Sequence, residues 1–261
     1  QAYAAGKLGG DVAMLGAVGQ DAYGEELIAN LASVGVDVSG IQKIADVPTG
    51  TAVIYVEQTG ENRIVLVTGA NGRVDRAYID AHMDKIAACD IVILQLEIPL
   101  DIVVYAAKKA KGLGKTVIVD PAPAVPDIPK ELWGYVDYIK PNETELNIIL
   151  TGKADGLPLD EALTQVQQLG VKNVWVTMGG HGVFFRDENG REETIPSVRV
   201  KAVDTTAAGD TFLAAAAVSL SKGKTPAEAI AYGNRAAALA VTRPGAQQSV
   251  PTEEEVEGFI G

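Results

Sequence analysis

A regular alternation of short apolar runs with segments of helical periodicity constrains the fold of this chain most strongly. The longer segments repeat apolar residues at the spacing of a helix face. Because apolar runs that alternate with helices are typical of βαβ units, we predict an α/β fold with a mainly parallel sheet covered by helices on both faces. The strand-like runs are residues 11–18, 90–96, 116–120, 136–140 and 174–178, and the helical segments are 2–8, 23–35, 74–87, 100–112, 143–150, 159–169, 209–222, 226–241 and 252–259.

Two pairs of strand-like runs depart from this alternation, because a turn sequence joins the members of each pair. QTGEN separates residues 51–57 from residues 63–67, and DENG separates residues 182–186 from residues 193–203. We predict a β-hairpin at both places. The first pair comes early and is less apolar than the other strands, so we expect it to form a small β flap, or lid, at about residues 48–70.

Charge and composition exclude several classes of function. The chain has 261 residues and a net charge of -12, whereas a surface that binds nucleic acid needs an excess of lysine and arginine. No apolar run approaches the ~18–20 residues of a membrane span, so no membrane partner is expected. The single cysteine, Cys89, has no internal disulfide partner, and His82 and His181 lack the neighbours of a zinc site. These features fit a cytoplasmic protein, and the lack of repeats or linkers favours one domain, residues 1–261.

Five polar loops follow predicted strands, at the points where those strands end. Ligands of parallel α/β sheets bind outside the carboxyl ends of the strands, so we expect these loops to share one edge. They are Glu97 after DIVILQL, PAPA after TVIVD, PNETE after VDYIK, GGHG after VWVTM and DTTAAGD after VKAV. The sequence therefore predicts a ligand site that is assembled from five separate parts of the chain.

The stretch DTTAAGD places three small residues before an alanine-rich helix. The backbone N–H groups of Ala207, Ala208 and Gly209 are unobstructed there, and a helix N-terminus carries a partial positive charge. Such a turn can hold a phosphate or a developing negative charge. Asp210 then has two interpretations. It is a carboxylate that accepts a proton from a hydroxyl during phosphoryl transfer, or it caps the helix together with Thr211.

Three further loops offer groups to a ligand, each with a structural alternative. TMGGHG, residues 177–182, lets a nucleotide approach the backbone, although a glycine-rich turn alone explains it better. In PNETE, Asn142, Glu143 and Glu145 supply oxygens that suit Mg²⁺ beside phosphates, while Asn142 also suits a helix cap. Glu97 either hydrogen-bonds a substrate hydroxyl or is a solvated residue at a strand end.

Taken together, these loops resemble the ribokinase-like (PfkB) family of carbohydrate kinases. DTTAAGDTF, residues 204–212, is similar to the family signature D-T-x-G-A-G-D-x-F except at Ala207. The order of KPNETE, VTMGGHG, DTTAAGDTF and AVTRPGAQQSVP is most similar to that of the members that act on D-ribose. The resemblance extends over residues 1–261 and implies transfer of the ATP γ-phosphoryl group to a sugar hydroxymethyl oxygen, with D-ribose giving D-ribose 5-phosphate.

The resemblance also implies roles for individual residues. Asp210 corresponds to the catalytic base, which also contacts the sugar, and Glu97 corresponds to a second sugar-binding residue. The backbone of Ala207, Ala208 and Gly209 corresponds to an anion hole. The implied ATP-binding residues are Asn142, Thr177, Met178, Gly179, Gly180, His181, Gly182, Gly209 and Asn234.

Two cofactors follow from the same resemblance. Asn142 and Glu145 match the N-x-x-E pattern of the family, which organises Mg²⁺ and the ATP phosphates indirectly. An activating K⁺ ion is implied in addition, with several of its ligands being backbone carbonyls. The residues that correspond to the potassium site are Asp204, Thr206, Ala240, Arg243, Gly245 and Ser249.

The chain departs from the family pattern in two places. The family's G-G-K-x-x-N signature and a first strand with a sugar-binding Asp belong before Gln1, so the resemblance implies an N-terminally incomplete chain. Leu213 and Ala214 replace the N-G that often follows DTF. The resemblance further implies that the complete protein is a homodimer joined through the lid, since an open sheet edge invites pairing. The apolar lid residues that would be exposed without a partner are Val53, Tyr55, Ile64 and Leu66.

Three alternatives remain open at the level of the sequence. The same chemistry serves other acceptors, as in a fructokinase, a deoxyribokinase or a nucleoside kinase. A truncated paralogue would bind a nucleotide or metabolite without catalysis. A nicotinamide-dependent dehydrogenase is the weakest alternative, because GAVGQDAYG, residues 16–24, is a poor match to the glycine fingerprint of a dinucleotide-binding turn.

Overall fold

The computed structural model describes residues 1–56 and 62–259. Helices and strands alternate along most of the chain, as the sequence pattern predicts. The strands are β1 (Gly16–Gly19), β2 (Ile41–Ile44), β3 (Thr51–Val56), β4 (Asn62–Val67), β5 (Ile91–Leu94), β6 (Thr116–Val119), β7 (Tyr138–Ile139), β8 (Asn173–Thr177), β9 (Val183–Arg186) and β10 (Glu192–Ile195). The helices are α1 (Ala2–Lys7), α2 (Ala22–Ser33), α3 (Arg76–Ala81), α4 (Met83–Ala88), α5 (Leu100–Gly112), α6 (Glu143–Thr151), α7 (Leu159–Gln168), α8 (Ala208–Ser221), α9 (Pro226–Ala240) and α10 (Glu253–Glu257).

The largest sheet has the strand order β10-β9-β8-β7-β6-β5. Strands β5 to β8 pair in parallel, whereas β9 pairs antiparallel with both β8 and β10. Strands β1 and β2 form a separate parallel pair, and β3 and β4 form a separate antiparallel pair. The predicted mainly parallel sheet and the predicted hairpins are therefore confirmed.

Helices cover the large sheet on both faces, and the alternation of side chains along its strands shows this directly. In β6, Val117 and Val119 pack into the core that includes α5, α6 and α7, whereas Ile118 between them packs against α8 and α9. Trp175 of β8 points to the same side as Ile118. Since successive residues of a strand face opposite sides, both sheet faces are buried, which explains the uninterrupted apolar runs in the sequence.

The segment that precedes DTTAAGD is not a strand, which corrects the prediction for residues 193–203. Strand β10 ends at Ile195, and Pro196 follows it with no N–H group to continue the ladder. The chain then runs to the end of α9, where the N–H groups of Val203 and Asp204 donate to the carbonyl oxygen of Val241 at 2.7 and 3.2 Å. The DTTAAGD loop is therefore held by the end of α9, not by the end of a sheet strand.

Two other boundaries differ from prediction. The strand predicted at residues 11–18 begins only at Gly16, and Ala13 makes an isolated bridge to Asp37. The helix predicted at residues 74–87 is interrupted at His82, whose Nδ1 lies 2.8 Å from the Tyr78 carbonyl oxygen. The His82 N–H donates to the carbonyl of Ile79, three residues back, so the regular helical pattern stops there.

The lid hairpin pairs Thr51 with Val67 and Val53 with Val65. The turn at 57–61 and the side chains of residues 54–56 and 62–64, which include Tyr55 and Ile64, lie outside the described residues. The register places Val53 opposite Val65 and Ala52 opposite Leu66, so Val53 and Leu66 belong to opposite faces of the hairpin. Among the described residues, no helix is long and apolar enough to cross a membrane.

Candidate phosphoryl-transfer site

The start of helix α8 presents backbone N–H groups on half-buried residues. Ala207 takes a left-handed conformation (φ 58°, ψ 13°) directly before the helix, and Asp210 lies in its first turn. The Ala208 N–H donates to Thr205, but among the described residues the N–H groups of Gly209 and Asp210 have no acceptor. Free donors in the first turn are the usual anion-binding feature of a helix N-terminus.

Asp210 is half-buried and makes no capping bond to the helix backbone. No side chain caps α8, so the capping interpretation of Asp210 and Thr211 is wrong in this structure. Instead, Asp210 Oδ1 accepts a hydrogen bond from Gln1 Nε2 at 2.9 Å. Gln1, Asp210 and Gln247 line a cavity of about 190 Å³ at the helix start, which is large enough for a small group.

A second carboxylate, which the sequence analysis did not single out, lies beside Asp210. Asp120 ends the apolar run of β6 and is 2% exposed. Its Oδ2 accepts from Gln1 Nε2 at 2.7 Å and from Lys140 Nζ at 2.9 Å. Gln1 in turn accepts from Gln95 Nε2 at 2.6 Å. A charged residue that closes a buried strand at the ligand edge is the sequence signal that could have identified Asp120.

The carboxyl groups of the site influence one another through charge. Burial, followed by the charges of Asp210 and Asp120, raises the pKa of Glu97. Burial also raises the pKa of Asp120, the Lys140 ammonium opposes this rise, and the Asp210 charge adds to it. The pKa of Glu145 is raised by burial, against a lowering contribution from its bond with the Asn142 N–H. Four carboxyl groups thus share this edge with the ammonium of Lys140.

Asn142 and Glu145 form a capping box at the start of α6. Asn142 Oδ1 accepts from the Glu145 N–H, and Glu145 Oε2 accepts from the Asn142 N–H, both at 2.8 Å. The capping alternative for Asn142 is therefore observed. In the part of the chain that the structure describes, no three Asp, Glu, His or Cys residues are placed to hold a metal ion. The donor set fits Mg²⁺ only through water and phosphate oxygens, which is how this ion is commonly bound.

The glycine-rich loop after β8 lies next to this capping box. Thr177 forms an isolated parallel bridge with Asn142, so the two predicted nucleotide segments are neighbours. A short 3₁₀ helix spans Gly179–His181, and a Cβ atom at Gly179 or Gly180 would meet nothing within 4 Å. Gly182 has a different constraint, because a Cβ atom there would lie 2.2 Å from the carbonyl oxygen of Ile195. The backbone is therefore unobstructed in the middle of the loop, at Gly179 and Gly180, whereas Gly182 at its end packs closely against the carbonyl oxygen of Ile195.

Asn234 is buried in α9, and its amide is used for a structural tie. Its Nδ2 donates to the carbonyl oxygens of Ile195 and Pro196, each at 3.1 Å. These bonds hold the segment that follows β10 against the helix. The side-chain Oδ1 is the atom of Asn234 that remains for a further contact.

The loops assigned to potassium are tied together by Asp204. Its Oδ1 accepts from the Thr206 N–H and its Oδ2 accepts from the Gly245 N–H, both at 2.9 Å. Hydrogen bonding, first with the Thr206 side chain, lowers the pKa of Asp204. Ser249 is buried, with its hydroxyl donating to Ala246, while Arg243 pairs with Glu255 and donates its N–H to the Ala240 carbonyl.

Comparison with known proteins identifies the family to which this protein belongs. Residues 1–253 match the pfkB family of carbohydrate kinases, and the chain belongs to this family. The chain is 40% identical to ribokinase of Schizosaccharomyces pombe over 95% of this chain and 79% of that one. It is 32% identical to deoxyribokinase of Salmonella typhi, over 100% of this chain and 85% of that one.

The solved structures agree with this assignment. The structure of Arabidopsis thaliana ribokinase complexed with ribose and ATP superimposes with a TM-score of 0.92 and 33% sequence identity. The alignment covers 98% of this chain and 84% of that chain. The predicted ribokinase-like fold and the family resemblance are therefore confirmed, and the dehydrogenase alternative is wrong.

Proposed function

We propose that this protein transfers the γ-phosphoryl group of ATP to the 5-hydroxyl of D-ribose, which yields ADP and D-ribose 5-phosphate. The observation that carries the proposal is the half-buried Asp210 carboxylate at the start of α8, beside the N–H groups of Gly209 and Asp210, which have no acceptor in the described part of the chain. Its support comes from the 40% identity to a ribokinase and from the likeness to a ribokinase that binds ribose and ATP.

In the proposed reaction the sugar O5 attacks the γ-phosphorus. The bond between the γ-phosphorus and the β,γ-bridging oxygen breaks, and the electron pair leaves with ADP. The proton of the sugar hydroxyl passes to the Asp210 carboxylate, and the N–H groups that follow Ala207 and Ala208 hold the transferring phosphoryl oxygens. Glu97 binds another sugar hydroxyl. Positioning and charge stabilisation, more than covalent chemistry, accelerate this kind of transfer.

The nucleotide is proposed to lie along the glycine-rich loop. The open faces of Gly179 and Gly180 let the nucleotide approach the backbone, and Thr177 connects this loop to Asn142. Asn234 would contact the adenine side through its Oδ1. The proposed ATP-binding set is Asn142, Thr177, Met178, Gly179, Gly180, His181, Gly182, Gly209 and Asn234.

Two cations belong to the proposal. Mg²⁺ would arrive with ATP and neutralise phosphate charge, with Asn142 and Glu145 holding its water ligands. K⁺ would bind where Asp204 joins the loops, since its ionised carboxylate is a hard oxygen ligand and the neighbouring carbonyls supply others. The proposed potassium residues are Asp204, Thr206, Ala240, Arg243, Gly245 and Ser249.

The lid is proposed to cover the sugar and to join two subunits. One face of the hairpin carries Val53, Val65 and Val67, which are 42%, 54% and 48% exposed. An isolated two-stranded hairpin is marginal in water, so a partner surface is expected on this exposed apolar face. The other face, which carries Leu66, would turn toward the sugar. Residues 1–261 would then act as one kinase domain with the lid at 48–70.

A coupled ADP-release assay with a panel of sugars tests the acceptor. The full-length protein is supplied with MgATP, KCl and, in turn, D-ribose, 2-deoxy-D-ribose, D-fructose and adenosine, and ³¹P NMR identifies the product. We expect D-ribose to give the highest kcat/KM, with phosphate on O5. A preference for 2-deoxy-D-ribose would favour the second candidate, a deoxyribokinase, to which the chain is 32% identical. Tight nucleotide binding without turnover of any acceptor would instead support a non-catalytic binding protein.

A further inference from the structure

The most unusual charged group of the site is Lys140, the last residue before the Pro-Asn-Glu-Thr-Glu loop. Its side chain is 6% exposed, and its ammonium is paired with Asp120, which is 3% exposed. A buried ammonium needs partners for its three N–H donors, because an unsatisfied buried charge is costly. Within the described residues, Lys140 Nζ has Asp120 Oδ2 as its hydrogen-bond partner, at 2.9 Å. Two of its donors are therefore available.

The Lys140 ammonium lies next to the anion hole. A Cβ atom added to Gly209 would lie 3.3 Å from Lys140 Nζ, so the ammonium is directly beside the start of α8. The unpaired N–H groups of Gly209 and Asp210 are at the same place. An anionic oxygen in the anion hole would be reached by both kinds of donor. No side chain separates them, because position 209 is glycine.

Asp120 explains how the ammonium is kept in this position. Its Oδ2 holds Lys140 Nζ, and the same oxygen accepts from Gln1, which also donates to Asp210. Asp120 Oδ1 is buried and has no hydrogen-bond partner among the residues that the structure describes, so these residues do not fully satisfy the carboxylate. A buried ion pair by itself contributes little to stability, because desolvation offsets the Coulomb attraction. The pair is therefore better explained by a ligand than by folding.

We propose that Lys140 is a further catalytic residue, which donates hydrogen bonds to the oxygens of the transferring phosphoryl group, and that Asp120 positions it. This inference deepens the proposed phosphoryl transfer and rests on it. Lys140 forms and breaks no covalent bond. Its positive charge offsets the negative charge of the phosphoryl group as that group passes from ADP to the sugar oxygen. Gly209 is required because a side chain there would separate the ammonium from the anion hole.

A comparison of two nucleotides separates a γ-phosphoryl contact from a structural role. Isothermal titration of wild-type protein and Lys140→Met with MgADP and with Mg-AMP-PNP requires no sugar, so its outcome does not depend on whether D-ribose is the acceptor. We expect Lys140→Met to weaken AMP-PNP binding by at least about tenfold, or ~1.4 kcal/mol, with ADP binding changed less than about twofold. Lys140→Arg, which keeps the charge, should restore part of the AMP-PNP affinity.

Lys140→Met alone leaves the buried Asp120 carboxylate without its partner, which can destabilise the fold. The double variant Lys140→Met with Asp120→Asn is the control for this effect, because it removes both charges of the buried pair together. It should show the same selective loss of AMP-PNP affinity. Lys111→Met is a matched control. Lys111 pairs with Asp137 at 2.5 to 2.6 Å near the amino ends of the same strands, and its loss should leave both affinities unchanged. Equal loss of ADP and AMP-PNP binding in Lys140→Met and in the double variant, or no loss of either, would overturn the proposal.

Discussion

Ala207 holds a backbone conformation that is unfavourable for a residue with a side chain. Its φ of 58° is in the left-handed region, where a Cβ atom costs roughly 1–2 kcal/mol. The turn is nevertheless needed, because it directs the following N–H groups out of the helix start. The family signature has glycine at this position, which agrees with the conformation that the structure assigns to Ala207.

Replacement of Ala207 by glycine is therefore expected to stabilise the protein. The relief of left-handed strain exceeds the entropy that glycine adds to the unfolded chain, so we expect Ala207→Gly to raise the free energy of unfolding by up to about 1 kcal/mol. Thermal unfolding followed by circular dichroism measures this. Ala208→Gly is the control, since Ala208 has no positive φ, and it should not raise the melting temperature. A lower melting temperature for Ala207→Gly would contradict this account.

Sequence reasoning identified Asp210 but not Gln1, Asp120 or Lys140. Asp210 could be predicted because small residues before an alanine-rich segment mark a helix start. The N-terminus of a helix carries a partial positive charge, which favours an ionised carboxylate there. Asp120 and Lys140 meet 20 positions apart in the chain, and Gln1 lies 209 positions from Asp210. No local pattern encodes such contacts. They follow from the order of strands in the sheet, which periodicity does not reveal.

Tyr78 connects elements that the chain places far apart. Its hydroxyl accepts from the Gly16 N–H at 2.6 Å and donates to the Gly40 carbonyl at 2.5 Å, so α3 fastens β1 to the segment before β2. Burial raises the pKa of Tyr78 from 10.0 to about 12. The neutral hydroxyl is thus the form that the folded protein favours.

The pH dependence of stability follows from this shift. Because the pKa is higher in the folded state, the contribution of Tyr78 is fully present below pH 10 and is lost as the pH rises toward 12. We expect Tyr78→Phe to lower the free energy of unfolding at pH 8 by about 1–3 kcal/mol, since Gly16 and Gly40 lose a partner. Urea titrations at pH 8 to 11.5 should show the difference between the two proteins shrinking. A constant difference across this range would show that the ionisation of Tyr78 does not affect folding.

The two faces of the lid hairpin lead to a prediction about the oligomeric state of the protein. Val65 lies on the face that carries Val53 and Val67, whereas Leu66 lies on the opposite face. If the subunits join through the first face, Val65→Lys should convert a dimer to a monomer, because a buried unpaired charge is strongly unfavourable. Sedimentation velocity measures this, with Leu66→Lys as the control that should stay dimeric. If the complete protein is monomeric, or if its Val65→Lys variant stays dimeric, a dimer through this face is excluded.

Helix and strand boundaries were predictable where local signals were strong. The helix predicted at residues 100–112 matches α5, which begins after Pro99. The helix predicted at 74–87 is interrupted at His82, where the backbone N–H donates to the Ile79 carbonyl. The strand predicted at 193–203 ends at Ile195 because Pro196 removes a donor. Strand β2 was missed, since Ile41–Ile44 has polar residues at its centre. Such local hydrogen-bonding effects change where a helix or strand ends, but they leave no trace in the spacing of apolar residues.

The negative net charge of the protein affects the binding of an anionic ligand. The chain carries a net charge of -12, and Glu97, Asp120, Glu145 and Asp210 are close enough to perturb one another. Free ATP is strongly anionic, so it should be repelled unless a divalent cation accompanies it. Removal of Mg²⁺ with EDTA is expected to weaken ATP binding by about tenfold or more, ~1.4 kcal/mol, in isothermal titration.

Added salt should recover part of that affinity, because it screens the repulsion between exposed charges. Adenosine, which lacks phosphates, is the control ligand, and its binding should not respond to EDTA. Equal affinities for ATP with and without Mg²⁺ would contradict an electrostatic requirement for the ion.

The layered architecture was predictable from the alternation of apolar runs and helices, because two buried sheet faces require it. The separation of β1 and β2 from the six-stranded sheet was not, since any apolar strand satisfies the same pattern. The placement of the DTTAAGD loop beside α9 was also missed. Its position depends on the hydrogen bonds of Val203 and Asp204 with Val241, which no periodicity anticipates.

The role of Asp210 as the proton acceptor is tested most directly by single-turnover phosphoryl transfer. Rapid-quench measurement of [γ-³²P]ATP with D-ribose would compare the wild-type protein with Asp210→Asn, which keeps the size of the side chain. We expect a rate that is lower by ~10²–10⁴-fold, with the Kd for MgATP changed less than about twofold. Transfer by Asp210→Asn at close to the wild-type rate would contradict it.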